Sequence, residues 1–234
     1  HGRIITHVII LSTCPYQAYL PMLNLSAPEI FSRVLTLVIA FTIHEFAHAW
    51  TAYRFGDDTA KAAGRLTLNP LVHLDIMGSL LLVFAGFGWA KPVPVNPYTI
   101  RKNSQAGLMW VSLSGPLSNF VMAILAAIPL RLDLVPATAP GSVLPSLSYF
   151  LLDFMFINLT LMLFNLLPIA PLDGDAVADY FFPPALNRML NAIRPYGPYV
   201  LLAVFLVGPL LNLNVFGWLL DQPRMDLARI LLGV

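Results

Sequence analysis

Four long runs of apolar residues constrain this chain more than any other feature of its sequence. They lie at about residues 30–53, 107–130, 149–180 and 199–220, and the second and fourth contain no charged residue. A spanning α-helix needs about 20 predominantly apolar residues, so each run is long enough to cross a bilayer. Only 11% of the 234 residues are charged, against roughly 25% in ordinary soluble domains. The sequence therefore predicts an all-α polytopic membrane protein with about four transmembrane helices.

The composition also excludes several classes of protein. The net charge of +1 gives no reason to expect a nucleic-acid partner, and the single cysteine, Cys14, excludes an internal disulfide framework. We expect one membrane-embedded domain over residues 26–220, with the lipid bilayer as its surroundings. Residues 1–25 are uninformative, and residues 221–234 form a tail with the pattern of a short amphipathic helix.

The first apolar run contains the motif H-E-x-x-H at residues 44–48. On a helix, His44 and His48 share one face and can bind the same metal ion. Glu45 follows the first ligand, where its carboxylate can take a proton from a water that the metal activates. The flanking residues are too apolar for a solvated face, and ionisable residues in such a segment usually have a function. The motif therefore predicts a metal site.

The third apolar run is interrupted near its end. Two prolines, Pro168 and Pro171, break the helix over about 168–172 and free the backbone around Asp173. Broken membrane helices are tolerated where they form part of a site, so Asp173 is predicted to be the third metal ligand. Asp153 is expected at the outer interface, and Asp175 and Asp179 are expected to be solvated rather than metal ligands.

The second apolar run contains the segment S-G-P-L-S-N at residues 114–119. Gly115 and Asn119 lie four residues apart, which suits close helix packing with an interhelical hydrogen bond. The same spacing also allows the Asn119 amide to point at the catalytic centre. Spacing alone leaves both interpretations open.

The polar segment between the first two runs contains a short apolar stretch, residues 78–89, that is rich in glycine and too short to span. With the proline-rich residues that follow it, residues 78–97 are predicted to form a re-entrant or interfacial hairpin, which must be buried or line a wet cavity. His73 is interpreted as a hydrogen-bonded loop residue rather than as a metal ligand.

The distribution of positive charge predicts the topology. Six of the 13 lysines and arginines lie between the first and second runs: Arg54, Lys61, Arg65, Lys91, Arg101 and Lys102. By the positive-inside rule, residues 54–106 and 180–197 are cytoplasmic in a multi-pass protein of the cell membrane. His44, His48 and Asp173 then lie toward the cytoplasmic side. Arg224 and Arg229 fit this topology less well, because it places them outside.

The three motifs H-E-F-A-H, S-G-P-L-S-N and N-L-L-P-I-A-P-L-D-G occur in this order in successive apolar runs. With them, the chain resembles the site-2 protease family of intramembrane zinc metalloproteases from about Ser26 to Tyr180. The resemblance implies that His44, His48 and Asp173 hold one Zn²⁺ per chain. It also implies that Glu45 is the general base and acid, and that Asn119 steadies the substrate or the oxyanion.

The predicted function is hydrolysis of peptide bonds in a membrane-protein substrate whose transmembrane helix can unwind. By resemblance, residues 78–97 form a β element that pairs with the unwound segment. The alternatives are a membrane metal-ion binding or transport protein, or a catalytically silent scaffold. The single broken helix argues against the repeated halves of a transporter, and the intact motif argues against a silent scaffold. The sequence specifies neither the substrate's identity nor an oligomeric state.

Overall fold

The computed structural model describes residues 25–85, 88–136, 143–211 and 213–234. Within these ranges the chain forms α-helices and short 3₁₀ turns and no β-strand, which confirms the predicted all-α class. The helices are α1 (Ala27–Arg54), α2 (Thr59–Ala62), α3 (Ile76–Ala85), α4 (Pro97–Asn103), α5 (Gly107–Arg131), α6 (Leu147–Asn165), α7 (Asp173–Phe181), α8 (Pro184–Ile193), α9 (Gly197–Leu210) and α10 (Val215–Leu232), with 3₁₀ turns at Pro70–Val72 and Arg194–Tyr196.

Four helical stretches of the described chain are long and apolar enough to cross a membrane. Three of them are α1, α5 and α6, which match the first three predicted spans. The fourth stretch is Pro184–Gly208, and it combines α8, the second 3₁₀ turn and most of α9. The prediction of a membrane protein with about four spans is therefore confirmed.

The fourth span differs from the predicted one at residues 199–220. α9 ends at Leu210, soon after the Gly208-Pro209 pair, and α10 begins at Val215. The side chain of Asn214 accepts a hydrogen bond from the backbone N–H of Gly217 at 2.9 Å and so caps the new helix. The predicted amphipathic tail helix is thus the C-terminal part of an 18-residue helix.

The core of the bundle lies between α5, α6 and α10. The α5 side is lined by small residues, Ala123, Ala126 and Ala127, all of which are buried. They face Met155 and Leu159 of α6, which are fully buried. Small side chains let the helix backbones approach closely. This packing sets the positions of the polar residues that α5 and α6 carry.

The third spanning helix is interrupted between α6 and α7, close to the predicted position. α6 ends at Asn165 and α7 begins at Asp173. Gly174 lies against the backbone carbonyls of Leu166 and Leu167, which leave no room for a Cβ atom. The first turn of α7 therefore packs directly onto the broken end of α6, and Asp173 is presented at a helix N-terminus, where a negative charge is favoured.

The predicted hairpin over residues 78–97 is not confirmed. α3 covers Ile76–Ala85, and the Asp75 side chain accepts a hydrogen bond from the N–H of Gly78 at 2.8 Å in its first turn. One antiparallel bridge joins Leu74 to Ala90. The leucine-rich sequence of this stretch favours a helix, which outweighs the effect of its glycines. Residues 86–87 of the predicted hairpin, and residues 1–24 of the N-terminal segment, lie outside the described residues.

Candidate metal centre

The two histidines of the H-E-x-x-H motif lie side by side on α1. Both are buried, and their rings meet edge to face with centroids 4.6 Å apart. The Nε2 atoms of His44 and His48 are 3.0 Å apart. The spacing of four residues therefore produces the shared face that the sequence predicted.

Asp173 brings a carboxylate to the two histidines from the start of α7. Its Oδ2 lies 3.1 Å from Nε2 of His44, and its Oδ1 lies 3.3 Å from Nε2 of His48. The candidate ligand atoms of the three residues all lie within 4.8 Å of one another. The structure thus brings together the three residues that were predicted to bind the metal.

Hydrogen bonds at the far side of each ring fix where the histidine protons reside. Nδ1 of His48 donates to the backbone carbonyl of Val111 at 2.7 Å, and Nδ1 of His44 donates to Oδ1 of Asn119 at 2.6 Å. Both partners are carbonyl oxygens, which only accept. Each Nε2 is therefore unprotonated in a neutral ring, and its lone pair points toward the other ligands.

This donor set fits a zinc ion. Among the described residues, Oδ2 of Asp173 is buried and has no hydrogen-bond partner, and the Nε2 atoms of the two histidines face the carboxylate of Asp173. Tetrahedral zinc with bonds of 2.0–2.1 Å holds its ligand atoms about 3.3 Å apart. Nε2 of His44 lies at similar distances from two other donors, 3.0 Å from Nε2 of His48 and 3.1 Å from Oδ2 of Asp173. Three acceptors in a buried space repel one another without a cation.

Helix α5 closes one side of the centre at Gly115. A Cβ atom added there would lie 2.5 Å from Cε1 of His48 and 2.6 Å from Cε1 of His44. Atoms that are not bonded to each other do not approach so closely, so only glycine fits against the imidazoles. This supports the helix-packing interpretation of Gly115.

Glu45 is buried beside the ligands, and its carboxylate interacts electrostatically with His48 and with Arg65. Arg65 is itself only 5% exposed, and its Nη2 donates to the carbonyl of Lys91. Burial lowers the pKa of the Arg65 guanidinium, and the negative charge of Glu45 opposes that shift. From the sequence alone Arg65 is only a loop cation, since no motif links it to the site.

Asn119 makes an interhelical hydrogen bond and also points toward the metal centre, so each of its two predicted roles is met in part. It is fully buried and makes an interhelical hydrogen bond, because its Nδ2 donates to Oδ1 of Asn158 on α6 at 2.9 Å. Its oxygen also contacts the ligand His44. Its role at a substrate or oxyanion stays a prediction. Asn158 was missed in the sequence, where it is one polar residue within an apolar helix.

The remaining candidates lie outside the ligand group. The Nε2 atom of His73 donates to the carbonyl of Thr67 at 2.8 Å, which confirms a hydrogen-bonded loop histidine. Asp175 and Asp179 are not simply solvated as predicted, because Arg194 forms ion pairs with them at 2.8 and 3.0 Å. Arg194 lies in the 3₁₀ turn before α9. The residues next to Asp175 and Asp179 in the sequence give no indication of this pairing.

Asp153 was expected at the outer interface of the membrane. Its Oδ2 accepts a hydrogen bond from Oγ of Ser32 on α1 at 2.6 Å. This contact joins α6 to the early part of α1. Asp153 is not among the residues grouped with His44 and His48.

Comparison with known proteins assigns the chain to a family. It is 44% identical over 183 residues to YwhC of Bacillus subtilis, covering 76% of this chain and 80% of YwhC. Identity is 36% over 205 residues to Rip2 of Mycobacterium tuberculosis (83% of this chain, 76% of Rip2). Identity is 35% over 198 residues to Rip2 of Mycolicibacterium smegmatis (79% and 72%). The names of all three relatives assign them to the zinc metalloproteases.

No protein-family profile matches the chain, and no solved structure matches it. The relatives' names agree with zinc as the cofactor, and so does the group formed by His44, His48 and Asp173. The predicted cofactor is therefore confirmed at the level of the family.

Proposed function

Because this chain belongs to the site-2 protease family of zinc metalloproteases, we propose that it hydrolyses peptide bonds within transmembrane segments of other membrane proteins. The observation that carries the proposal is the position of the metal centre. His44 and His48 lie within α1, a helix of 28 residues that is long and apolar enough to span a membrane. A peptide bond cleaved at this centre must reach the depth of that helix.

His44, His48 and Asp173 would hold the zinc ion, which would supply a Lewis acid for the scissile carbonyl and for a water molecule. Three protein ligands are the pattern of catalytic zinc, whereas structural zinc usually has four. The buried surroundings exclude bulk water, so the charges that develop in the reaction are poorly screened.

Glu45 is the group that moves the proton. Its carboxylate accepts a proton from the attacking water while the water oxygen bonds to the carbonyl carbon. It then gives that proton to the amide nitrogen as the C–N bond breaks, so the products are a carboxylic acid and an amine. Glu45 is placed for this because it is adjacent to a ligand in the chain and is buried with it.

The substrate is proposed to be a membrane protein whose helix can unwind. A helix hides its carbonyls in hydrogen bonds to the residue four positions later, so the scissile bond must first leave the helix. Glycine, proline or asparagine near the cleaved bond lowers the cost of that step. The enzyme is proposed to lie in the cell membrane with its centre toward the cytoplasm, because residues 54–106 are rich in lysine and arginine.

The test uses the purified full chain in detergent, as wild type and as Glu45→Gln. Zinc content and cleavage of a fluorogenic single-span substrate are measured for both. About one zinc per chain in both proteins, with cleavage only in the wild type, is the expected result, since Glu45 moves protons but binds no metal. Equal cleavage by both proteins would refute the role of Glu45. Zinc without cleavage in either, over a panel of spans containing helix-weakening residues, would favour the metal-binding alternative.

A further inference from the structure

A continuous chain of hydrogen bonds leads from the backbone of α6 to the first zinc ligand. Nδ2 of Asn158 donates to the carbonyl oxygen of Phe154 at 2.9 Å, and Oδ1 of Asn158 accepts from Nδ2 of Asn119 at 2.9 Å. Oδ1 of Asn119 then accepts from Nδ1 of His44 at 2.6 Å. Both asparagine side chains are fully buried, so water does not replace any of these partners.

The direction of this chain is fixed at its backbone end. The carbonyl of Phe154 can only accept, so the NH₂ group of Asn158 must face it and the oxygen of Asn158 must face Asn119. The amide of Asn119 is then oriented with its NH₂ toward Asn158 and its oxygen toward His44. Nδ1 of His44 must therefore carry the proton that it donates to Asn119. In a neutral ring, Nε2 is then unprotonated.

We propose that Asn158 is a positioning residue for the metal centre. Through Asn119 it selects the tautomer of His44 whose Nε2 can bind zinc. The inference rests on the zinc site of the proposed function, but it concerns metal affinity rather than cleavage. It gives Asn119 a role different from the oxyanion contact implied by the family resemblance, because its nitrogen donates to Asn158 and its oxygen faces His44.

The two histidines differ in how their tautomers are set. Nδ1 of His48 donates directly to the backbone carbonyl of Val111, and that partner cannot rotate. The partner of His44 is a side-chain amide, and it can rotate once Asn158 no longer holds it. A rotated Asn119 would present its NH₂ group to Nδ1 of His44, which favours a proton on Nε2 and blocks the metal. Loss of Asn158 therefore weakens one ligand and leaves the other intact.

The experiment measures zinc affinity by competition with a chromogenic chelator, on the full chain in detergent. Asn158→Leu removes the amide and keeps a similar volume. Thr160→Val is the matched control, because Oγ1 of Thr160 donates to the carbonyl of Phe156 at 2.8 Å, the same local bond on the same helix. We expect Asn158→Leu to weaken zinc binding about 10- to 100-fold, the range found for residues that orient metal ligands. Thr160→Val should bind as the wild type does.

A double-mutant cycle separates positioning from general packing. If Asn158 acts only through Asn119, then Asn158→Leu combined with Asn119→Leu should bind zinc about as weakly as Asn119→Leu alone. A residue that only packs would weaken the double variant by the product of the two single effects. The visible absorption of the cobalt-substituted proteins gives a second readout, and it should change in Asn158→Leu and not in Thr160→Val.

The inference would be overturned if Asn158→Leu bound zinc as tightly as the wild type does. It would also be overturned if Asn158→Leu and Asn119→Leu weakened zinc binding independently in the double-mutant cycle. Neither result would affect the evidence for Glu45-dependent cleavage. A wild-type protein that binds zinc but cleaves no substrate would count against the proposed function, and the affinities would still decide the role of Asn158. A wild-type protein that binds no zinc would overturn both. Thermal unfolding in excess chelator identifies any variant that has lost its fold.

Discussion

Asp57 and Asn96 join the end of the first spanning helix to the start of α4, because Oδ2 of Asp57 accepts the backbone N–H of Asn96 at 2.6 Å. The other oxygen of Asp57 accepts from the backbone and the hydroxyl of Thr59. Asp57 is only 2% exposed. The carboxylate thus holds together two segments that lie 39 residues apart.

This contact predicts a pH dependence of stability. Burial acts to raise the pKa of Asp57, but the hydrogen bonds from Thr59 and Asn96 outweigh it and lower the pKa from its ordinary value. The folded state therefore gains stability above a pH of about 4, the usual pKa of an aspartate in an unfolded chain. That stability is lost as the pH falls through the lower pKa of the folded state.

Asp57→Asn should be less stable than the wild type at neutral pH, and the difference should shrink as the pH is lowered below about 4. Thermal unfolding in detergent at a series of pH values measures it. A difference that stays constant down to the lowest pH at which the wild type folds would show that the charge of Asp57 is not the cause.

Asp173→Ala should abolish stoichiometric zinc binding, since it removes one of three ligands. The matched control is Asp175→Ala, two residues further along α7. Asp175 pairs with Arg194 and lies outside the ligand group, so its variant should retain zinc and lose less than about 1 kcal/mol of stability, as is usual for partly exposed ion pairs. Metal analysis after gel filtration distinguishes them. Equal zinc loss in both variants would contradict the assignment of Asp173.

Gly115→Ala should weaken zinc binding more than about tenfold. The added methyl group would occupy the space against the imidazoles of His44 and His48, and either the rings or helix α5 must move. Val121→Ala on the same helix is the control, because that side chain is 53% exposed. Chelator competition on the two variants measures the effect. Unchanged affinity in Gly115→Ala would mean that α5 does not approach the histidines this closely.

Removal of zinc by a strong chelator should stop cleavage and lower the unfolding temperature, because a ligand that binds only the folded state stabilises it. Added zinc should restore both. Glu45→Gln should show the same loss and recovery of stability without any cleavage, because Glu45 is not a ligand. If Glu45→Gln gained no stability from zinc, Glu45 would have to contribute to metal binding.

The sequence predicted those parts of the site that depend on local chain geometry. The spacing of four residues between His44 and His48 is sufficient to place them on one face of a helix. The prolines before Asp173 are sufficient to end a helix near that residue. Both patterns involve residues close together in the chain, where the constraints of the backbone decide the outcome.

The parts that the sequence did not predict depend on contacts between distant segments. Asn158 has its role because Asn119 lies opposite it on another helix, and Arg65 matters because folding buries it near Glu45. The division of the fourth apolar run depends on Asn214, which caps a helix that packs against α6. No periodic pattern within these segments indicates their partners.

The ligand set is divided between α1 and α7, so a bound ion joins two points of the chain separated by more than one hundred residues. The ion therefore closes a large ring that contains the whole polar segment between α1 and α5. The free-energy cost of closing a flexible ring increases only with the logarithm of its length, by about 0.6 kcal/mol for each doubling. Insertions or deletions at exposed positions of that segment, away from Asp57 and Arg65, should thus change the entropic part of the metal affinity very little.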